Sequence, residues 1–265
     1  MTAVSHRTHP ISPTEVDYRP VLERVGTNGA AVDLGYLTLV SVTGSDAENF
    51  LQNQLSNDTS GIPDGQAQLN AYCNPKGRAL AILRLLKRPD GGFWMLVPSD
   101  LAESLIKRLS IYVMRAKVDI RVDDENALIG LIGKKPESMN ASEFDYGGHF
   151  ARTVVIGQPD ALDELADRSD ALLGGDFWKL CDILSGLPQI YAETVEECIP
   201  QHVNMDLVNG ISFSKGCYPG QEIIARLKYL GKSKYRLCAA TAEAQKPVFP
   251  GDPLFTAEHP RQKAG

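Results

Sequence analysis

Gly210–Gly231 reads G-I-S-F-S-K-G-C-Y-P-G-Q-E-I-I-A-R-L-K-Y-L-G, the densest unusual stretch of the chain. Ile211–Ser214 reads as a short apolar strand. Pro219 suits the first turn of a helix, Gln221 and Glu222 complement its N-terminal dipole, and Gly231 can end it. Ile223, Ile224 and Leu227 then give that helix its buried stripe. Cys217 falls in the turn before a helix N-terminus, two residues from Lys215. Free amides and an ammonium both favour thiolate over thiol, so this cysteine is the best candidate for a reactive group. Gly216 and Gly220 let the backbone bend tightly around it. A small thiol filling space at a turn is the competing reading, and spacing alone leaves both open.

Working outward, Asp176 can cap a helix that runs to Ser185 and is closed by Gly186 and Pro188. Its main stripe is Phe177, Leu180, Cys181 and Leu184. Trp178 lies about 100° from Phe177 on the wheel, on the flank of that stripe. There it either lines a cleft and stacks on a flat ligand or packs on a neighbouring loop. From Lys215 to Arg236 six basic residues (Lys215, Arg226, Lys228, Lys232, Lys234, Arg236) accompany one acid, Glu222. That cluster suits an anionic ligand such as a glutamate tail or phosphate, or is simply a solvated face. No aromatic-interleaved RNA-binding motif is read beside it.

Toward the N-terminus, Ala31–Val42 reads as a strand kinked at Gly35. Ser45 caps a helix, with Glu48 completing a capping box and Ala47, Phe50, Leu51 and Leu55 as its stripe. Asn57–Gly65 is a turn-rich loop. Strands follow at Leu69–Cys73 and Arg78–Lys87 around Asn74–Gly77, and the Arg88–Gly92 hairpin returns into Phe93–Val97. Ser99 or Asp100 caps a second helix (Leu101, Leu105, Ile106, Leu109), and Ile111–Val122 reads as strand. Beyond it come strands at Ala127–Ile132 and Phe150–Ile156 and a helix at Asp160–Arg168, with Gly133–Gly148 as an exposed excursion. The expectation is α+β: two related halves, each an antiparallel sheet with helices on one face. The expected division is an arm over 1–20, halves over 21–123 and 124–231, and a β-rich third unit opening at 232–265 and stopping before it closes.

Composition bounds the function. The 265 residues carry a net charge of −6, which argues against bulk binding to nucleic acid or anionic membrane. Five cysteines, none in a C-x-x-C pair, give no metal-site signal and suggest a reducing compartment. Cys73, Cys181, Cys198 and Cys238 read as structural, with Glu196 and Glu197 expected to raise the Cys198 pKa. Met1–Pro20 lacks an apolar segment, so the chain reads as cytoplasmic, without a signal or membrane span. Walker, G-x-G-x-x-G, H-E-x-x-H and G-x-S-x-G motifs are absent, and His202 reads as polar surface.

Lys215-Gly216-Cys217-Tyr218-Pro219-Gly220-Gln221-Glu222 resembles the signature of the YgfZ family, relatives of the glycine-cleavage T-protein. The resemblance runs through Trp178–Ile183, Gly186-Leu187-Pro188, Ile199-Pro200-Gln201, Asn204, Ala225-Arg226 and Gly231-Lys232. Nearer the N-terminus it takes in Val42–Ala47 and Asn74-Pro75-Lys76-Gly77-Arg78, so that most of Asp33–Lys234 is covered. It implies two ferredoxin-like folate-binding subdomains and the start of a C-terminal β-barrel. Tetrahydrofolate is the implied ligand, with Trp178, Tyr36 or Leu37, Asn74, Arg78, Asn204 and Arg226 as implied contacts. Cys217 and Lys215 are the implied chemical pair, and Gly216, Tyr218, Gly220, Gln221 and Glu222 build the motif; no metal site is implied. Relatives support iron–sulfur enzymes, including those that modify tRNA, so the implied partners are folate and such client or assembly proteins, with a monomer that need not touch tRNA. Two alternatives stand beside this. A true aminomethyltransferase would carry carboxylates just after the Asn74–Arg78 turn, where this chain has Ala81 and Ile82. A non-catalytic folate-binding scaffold would tolerate loss of the Cys217 thiol.

Overall fold

A computed structural model describes residues 3–4, 29–133, 141–240 and 247–256. The apolar stretch near the N-terminus forms two strands, β1 (Ala30–Asp33) and β2 (Leu37–Thr43), rather than one kinked strand. The turn is closed by Leu37 N–H donating to Leu34 O at 2.8 Å, and Gly35 N–H donates to the Asp33 carboxylate at 2.8 Å. That turn transfers the chain from one sheet to another. The first half continues through α1 (Ala47–Gln52), β3 (Ala67–Cys73), β4 (Ala79–Lys87), β5 (Phe93–Pro98), α2 (Ser99–Val113) and β6 (Asp119–Val122). The second contributes β7 (Ala127–Ile132), β8 (Ser142–Asp145), β9 (Arg152–Gly157), α3 (Pro159–Asp167), β10 (Ala171–Leu173), α4 (Gly175–Leu184) and α5 (Gln221–Leu230).

One sheet is antiparallel, in the order β3-β4-β5-β2-β6. The other has the order β10-β1-β7-β9-β8, so an N-terminal strand lies inside the second-half sheet and pairs in parallel with β10. Alternation along the strands then assigns each side chain to a layer. On β5, Phe93, Met95 and Val97 enter the core beneath α1 and α2, whereas Trp94 and Leu96 enter a core shared by the two sheets. On β9, Val154 and Ile156 face the shared core and Val155 faces α3. The result is helix, sheet, sheet, helix. Both faces of the sheets are covered, so β4 is apolar along nearly its whole length. The second sheet departs from the expected antiparallel pairing in its parallel β10–β1 pair, and the two sheets pack on one another through the shared core. The segment after α4 returns to the first sheet, where Ile190, Met205, Ile211, Tyr218 and Ile224 join its core.

Local differences have local causes. The first helix begins at Ala47 with Asp46 at its cap and no side-chain capping bond, so the Ser45–Glu48 box does not form. Helix α2 runs through Ile111-Tyr112-Val113 instead of ending before a strand at Ile111, because its Leu101, Leu105 and Leu109 stripe is anchored on the sheet; β6 keeps only Asp119–Val122. Helix α4 starts from Gly174 without an Asp176 cap. Ile211–Ser214 makes no ladder. Ser142–Asp145 is a strand within the expected excursion, and 134–140 lie outside the described residues. Apart from Ala3–Val4, so does the arm over 1–20. Beyond Gly231 the strand content among the described residues is Phe255–Thr256, paired in parallel with Ala3–Val4.

Candidate functional site

The Cys217 segment is fastened to the first sheet by Ser56 and its neighbours. Ser56 Oγ donates to Gly210 O at 2.7 Å and accepts from Ala71 N–H at 2.8 Å, while Ser212 N–H donates to Ser56 O at 3.0 Å. Asn57 Nδ2 donates to Asn209 O at 2.7 Å. Lys215 Nζ completes the seam with bonds to Leu55 O and Asn57 O, each 2.7 Å. Burial pushes the Lys215 ammonium down to about 8, against the opposing pull of Asp58. The ammonium is thus held by two backbone carbonyls.

Two turns then meet glycine to glycine. Asn74 Oδ1 accepts from Lys76 N–H at 2.9 Å and Arg78 N–H at 3.0 Å, shaping the first turn. Gly77 (φ +71) and Gly220 (φ +82) lie against each other, and a Cβ on Gly220 would stand 2.6 Å from both Asn74 O and Gly77 Cα. This contact seats the N-terminus of α5 on the β3–β4 turn. Gln221 Nε2 closes the loop by donating to Gly216 O at 3.2 Å. Tyr218 is buried, Gly216 and Glu222 are exposed, and Cys217 projects to solvent from the loop between them. Arg78 Nη1 donates to Glu197 O at 2.7 Å.

The other thiols differ in setting. Burial pushes Cys73 up to about 12 and Cys181 to about 11. Cys198 is pushed to about 11 chiefly by burial; Glu197 adds to the rise and Arg78 opposes it, so the carboxylate is a secondary cause. Cys238 is exposed on the segment after α5.

Trp178 is fully buried, with 0% exposure, so the cleft-lining position expected for it is corrected. Its ring lies on Gly130 of β7, where a Cβ would meet Cζ3 at 2.5 Å, and it meets Tyr146 edge-on at 4.9 Å. The face of α4 turned to the shared core is Phe177, Trp178 and Cys181, while Leu180 of the expected stripe is exposed, so the buried face is rotated toward Trp178. The cleft at this junction is instead lined by Leu37, Arg84, Leu96, Tyr146, Asp182 and Gln189, among others. Arg152 Nη1 donates to Asp182 at 2.7 Å, and the Arg84 and Arg152 guanidiniums lie 4.3 and 4.7 Å from the Tyr146 ring centre. Burial raises the Asp182 carboxyl while Arg152 and Arg84 pull it down. Its free space, about 10 Å³, holds roughly one water. Leu37 faces this cleft; Tyr36 packs on Gly175 beneath the Lys179 ammonium, 4.5 Å from its ring. Sequence reading passed over Arg84, Tyr146, Arg152 and Asp182. Arg84, alone in the apolar run of β4, was the available signal.

The candidate residues therefore fall into three places. Leu37 and, one layer behind, Trp178 belong to the cleft. Asn74, Arg78 and Lys215–Glu222 gather at the glycine contact, about 14 Å along β3 and β4 from the cleft. Asn204 Nδ2 donates to Leu237 O at 2.8 Å, and Arg226 is exposed on α5, both beside the segment that follows that helix. Ala81 and Ile82 are 1% exposed and offer no carboxylate. No helix among the described residues is long and apolar enough to cross a membrane.

No family model matches the chain. It is 31% identical over 264 residues to the tRNA-modifying protein YgfZ of Escherichia coli O157:H7, covering 89% of this chain and 81% of that protein. The YgfZ of Photobacterium profundum is 31% identical over 245 residues, covering 85% and 74%. That of Colwellia psychrerythraea is 28% identical over 241 residues, covering 83% and 74%. Among solved structures, the glycine cleavage system aminomethyltransferase T from Bartonella henselae superposes with a TM-score of 0.61 at 14% identity, covering 80% of this chain and 66% of that one. At that identity the likeness is one of fold.

Proposed function

The chain belongs to the YgfZ family, and from that membership we propose that it is a tetrahydrofolate-binding accessory protein for iron–sulfur enzymes, with Cys217 as its reactive group. The observation that carries this reading is the placement of Cys217 on a loop fixed from both sides, by Lys215 to Leu55 and Asn57 and by Gln221 to Gly216, with its thiol exposed. A single cysteine sulfur so held can approach a client's cluster without retaining it, because stable cluster sites need several. Its influence on tRNA modification then runs through clients that modify tRNA. The domain reading that accompanies it keeps 21–123 and 124–231 as folate-binding subdomains, interleaved by β1, and 232–265 as the opening of a β-barrel.

Folate is assigned to the cleft between the sheets. The Asp182 carboxylate, the Arg84 guanidinium and the Gln189 amide there complement the donor and acceptor edge of a pterin, with Arg152 holding Asp182 from behind, and Leu37 and Tyr146 supply apolar and aromatic contact. The cleft opens on binding, as its present volume requires. Trp178 acts through Tyr146, which it supports edge-on. The fold likeness to an aminomethyltransferase supports this location, while Ala81 and Ile82 speak against glycine cleavage.

Titration of tetrahydrofolate against tryptophan fluorescence, on the parent protein, Trp178→Phe and Cys217→Ser, tests the reading. The expected result is saturable binding that survives Cys217→Ser, with the activity of a client iron–sulfur enzyme lost in cells carrying only that variant. Full client activity with Cys217→Ser would leave the scaffold as the correct description.

A further inference from the structure

The chain that follows α4 puts Leu187, Pro188 and Gln189 into the wall of the cleft between the sheets. The Gln189 amide can sit there in only one sense. Its Nε2 donates to Ile82 O at 2.9 Å and lies 3.4 Å from Ile190 O. Both partners are carbonyls, which only accept, so the N–H side of the amide must face them. Ile82 O needs this donor. It lies past the last pair of the β4–β5 ladder, Arg84–Leu96, and β5 finishes at Pro98, which has no N–H. Oε1 is the atom left over. It takes no hydrogen bond from the described residues, yet it is not sealed in protein as Oε1 of Gln54 and Gln201 are. It therefore opens on free space, and the free space that Gln189 lines is the cleft.

The other polar groups of the wall are also fixed in sense. Arg84 can only donate, and the Asp182 carboxylate, held from behind by Arg152 at 2.7 Å, only accepts. The Tyr146 hydroxyl is taken up by hydrogen bonds to Arg84 and Asp182. A ligand thus meets one donor group and two acceptors. A pterin brings its ring N–H and exocyclic amino donors to Asp182 and its ring carbonyl to Arg84. Gln189 Oε1 then asks for one further N–H. An oxidised pterin has none to give, because N5 and N8 are bare acceptors. Reduction of the ring puts a hydrogen on N8, which lies toward the amino side of the ring, whereas N5 lies beside the ring carbonyl.

We propose that Gln189 is the residue by which this cleft tells reduced folate from oxidised: its Oε1, oriented by Ile82 O, accepts from N8–H of a dihydro- or tetrahydropterin and rejects the bare N8 of folic acid. The inference rests on the assignment of folate to this cleft, and needs neither Cys217 nor a client protein. A Gln189 that served only to pin the segment after α4 would use its N–H side alone, and the ring's oxidation state would be indifferent to it.

The test is isothermal titration calorimetry of the full chain under argon with tetrahydrofolate, dihydrofolate and folic acid, on the parent protein and on Gln189→Met. Two acceptors brought together in a dry site both go unpaired, which predicts that folic acid binds about 10- to 100-fold more weakly than either reduced form. Gln189→Met keeps the reach of the side chain, removes the acceptor, and brings the three affinities within about threefold of one another. Loss of the Ile82 bond loosens the segment and weakens all three ligands together, so the ratio of affinities separates selection from structure. Three results would overturn the inference while leaving folate in the cleft: discrimination undiminished in Gln189→Met, folic acid bound by the parent as tightly as tetrahydrofolate, or dihydrofolate grouped with folic acid. Failure of the parent to bind any of the three removes the folate assignment itself, and this inference with it.

Discussion

Gly220 stands where backbone meets backbone, and its replacement by Ala places a methyl 2.6 Å from Asn74 O at a φ of +82. The left-handed conformation alone costs roughly 1–2 kcal/mol, and the overlap adds to it. Gly220→Ala is expected to lower stability by about 2 kcal/mol or more in urea denaturation. Gly77→Ala is milder, since its Cβ would meet the Ile223 side chain at 3.1 Å. Cys217→Ser, at an exposed position, is expected to leave the denaturation midpoint unchanged while removing client support. The sequence made the turn before α5 legible, because glycine, proline and polar cap residues act locally. The destination of Lys215 was not legible: its acceptors are carbonyls about 160 residues away, and a backbone carbonyl leaves no mark in composition.

Helix α4 shows why an element's period does not fix its burial. The wheel places Trp178 off the main stripe, but the helix is turned so that Trp178 fills the space above Gly130 and Leu180 faces solvent. Trp178→Ala is expected to cost about 3–5 kcal/mol and Trp178→Phe much less, read as urea midpoints. Arg152→Leu strands the Asp182 carboxylate, a loss of about 3–5 kcal/mol by the same measurement. Helix α2 makes the complementary point: Ile111-Tyr112-Val113 has the composition of a strand, yet a stripe anchored upstream carries the helix through it.

At the scale of the molecule, alternation along strands made the α+β class legible, since it depends on neighbours in sequence. The exchange of β1 was not, because the choice of sheet rests on pairing with Ala127–Ile132 and Ala171–Leu173 far along the chain. The whole also sets the response to pH. The Lys215 value is depressed from 10.5 to about 8, so its share of stability is present above 10.5 and lost as pH falls through 8. Cys73, Cys181 and Cys198 are raised from 9.0 to about 12, 11 and 11, so theirs is present below 9 and lost as pH rises through those values. Lys215→Met is therefore expected to flatten the rise in urea midpoint between pH 8 and 9 and to steepen the decline above it.

The exchanged strand also has a consequence in time. β1 leaves the ribosome early, but Ala171–Leu173, its parallel neighbour, is made about 140 residues later. At ~5–20 residues per second this is roughly 7–30 s during which an apolar strand has one or both edges open. The antiparallel sheet has all of its strands by Val122 and can form first. Newborn chains thus pass through a half-built stage in which an early strand waits among the last to be placed, and holding that strand out of wrong pairings is the demand this topology puts on the cell.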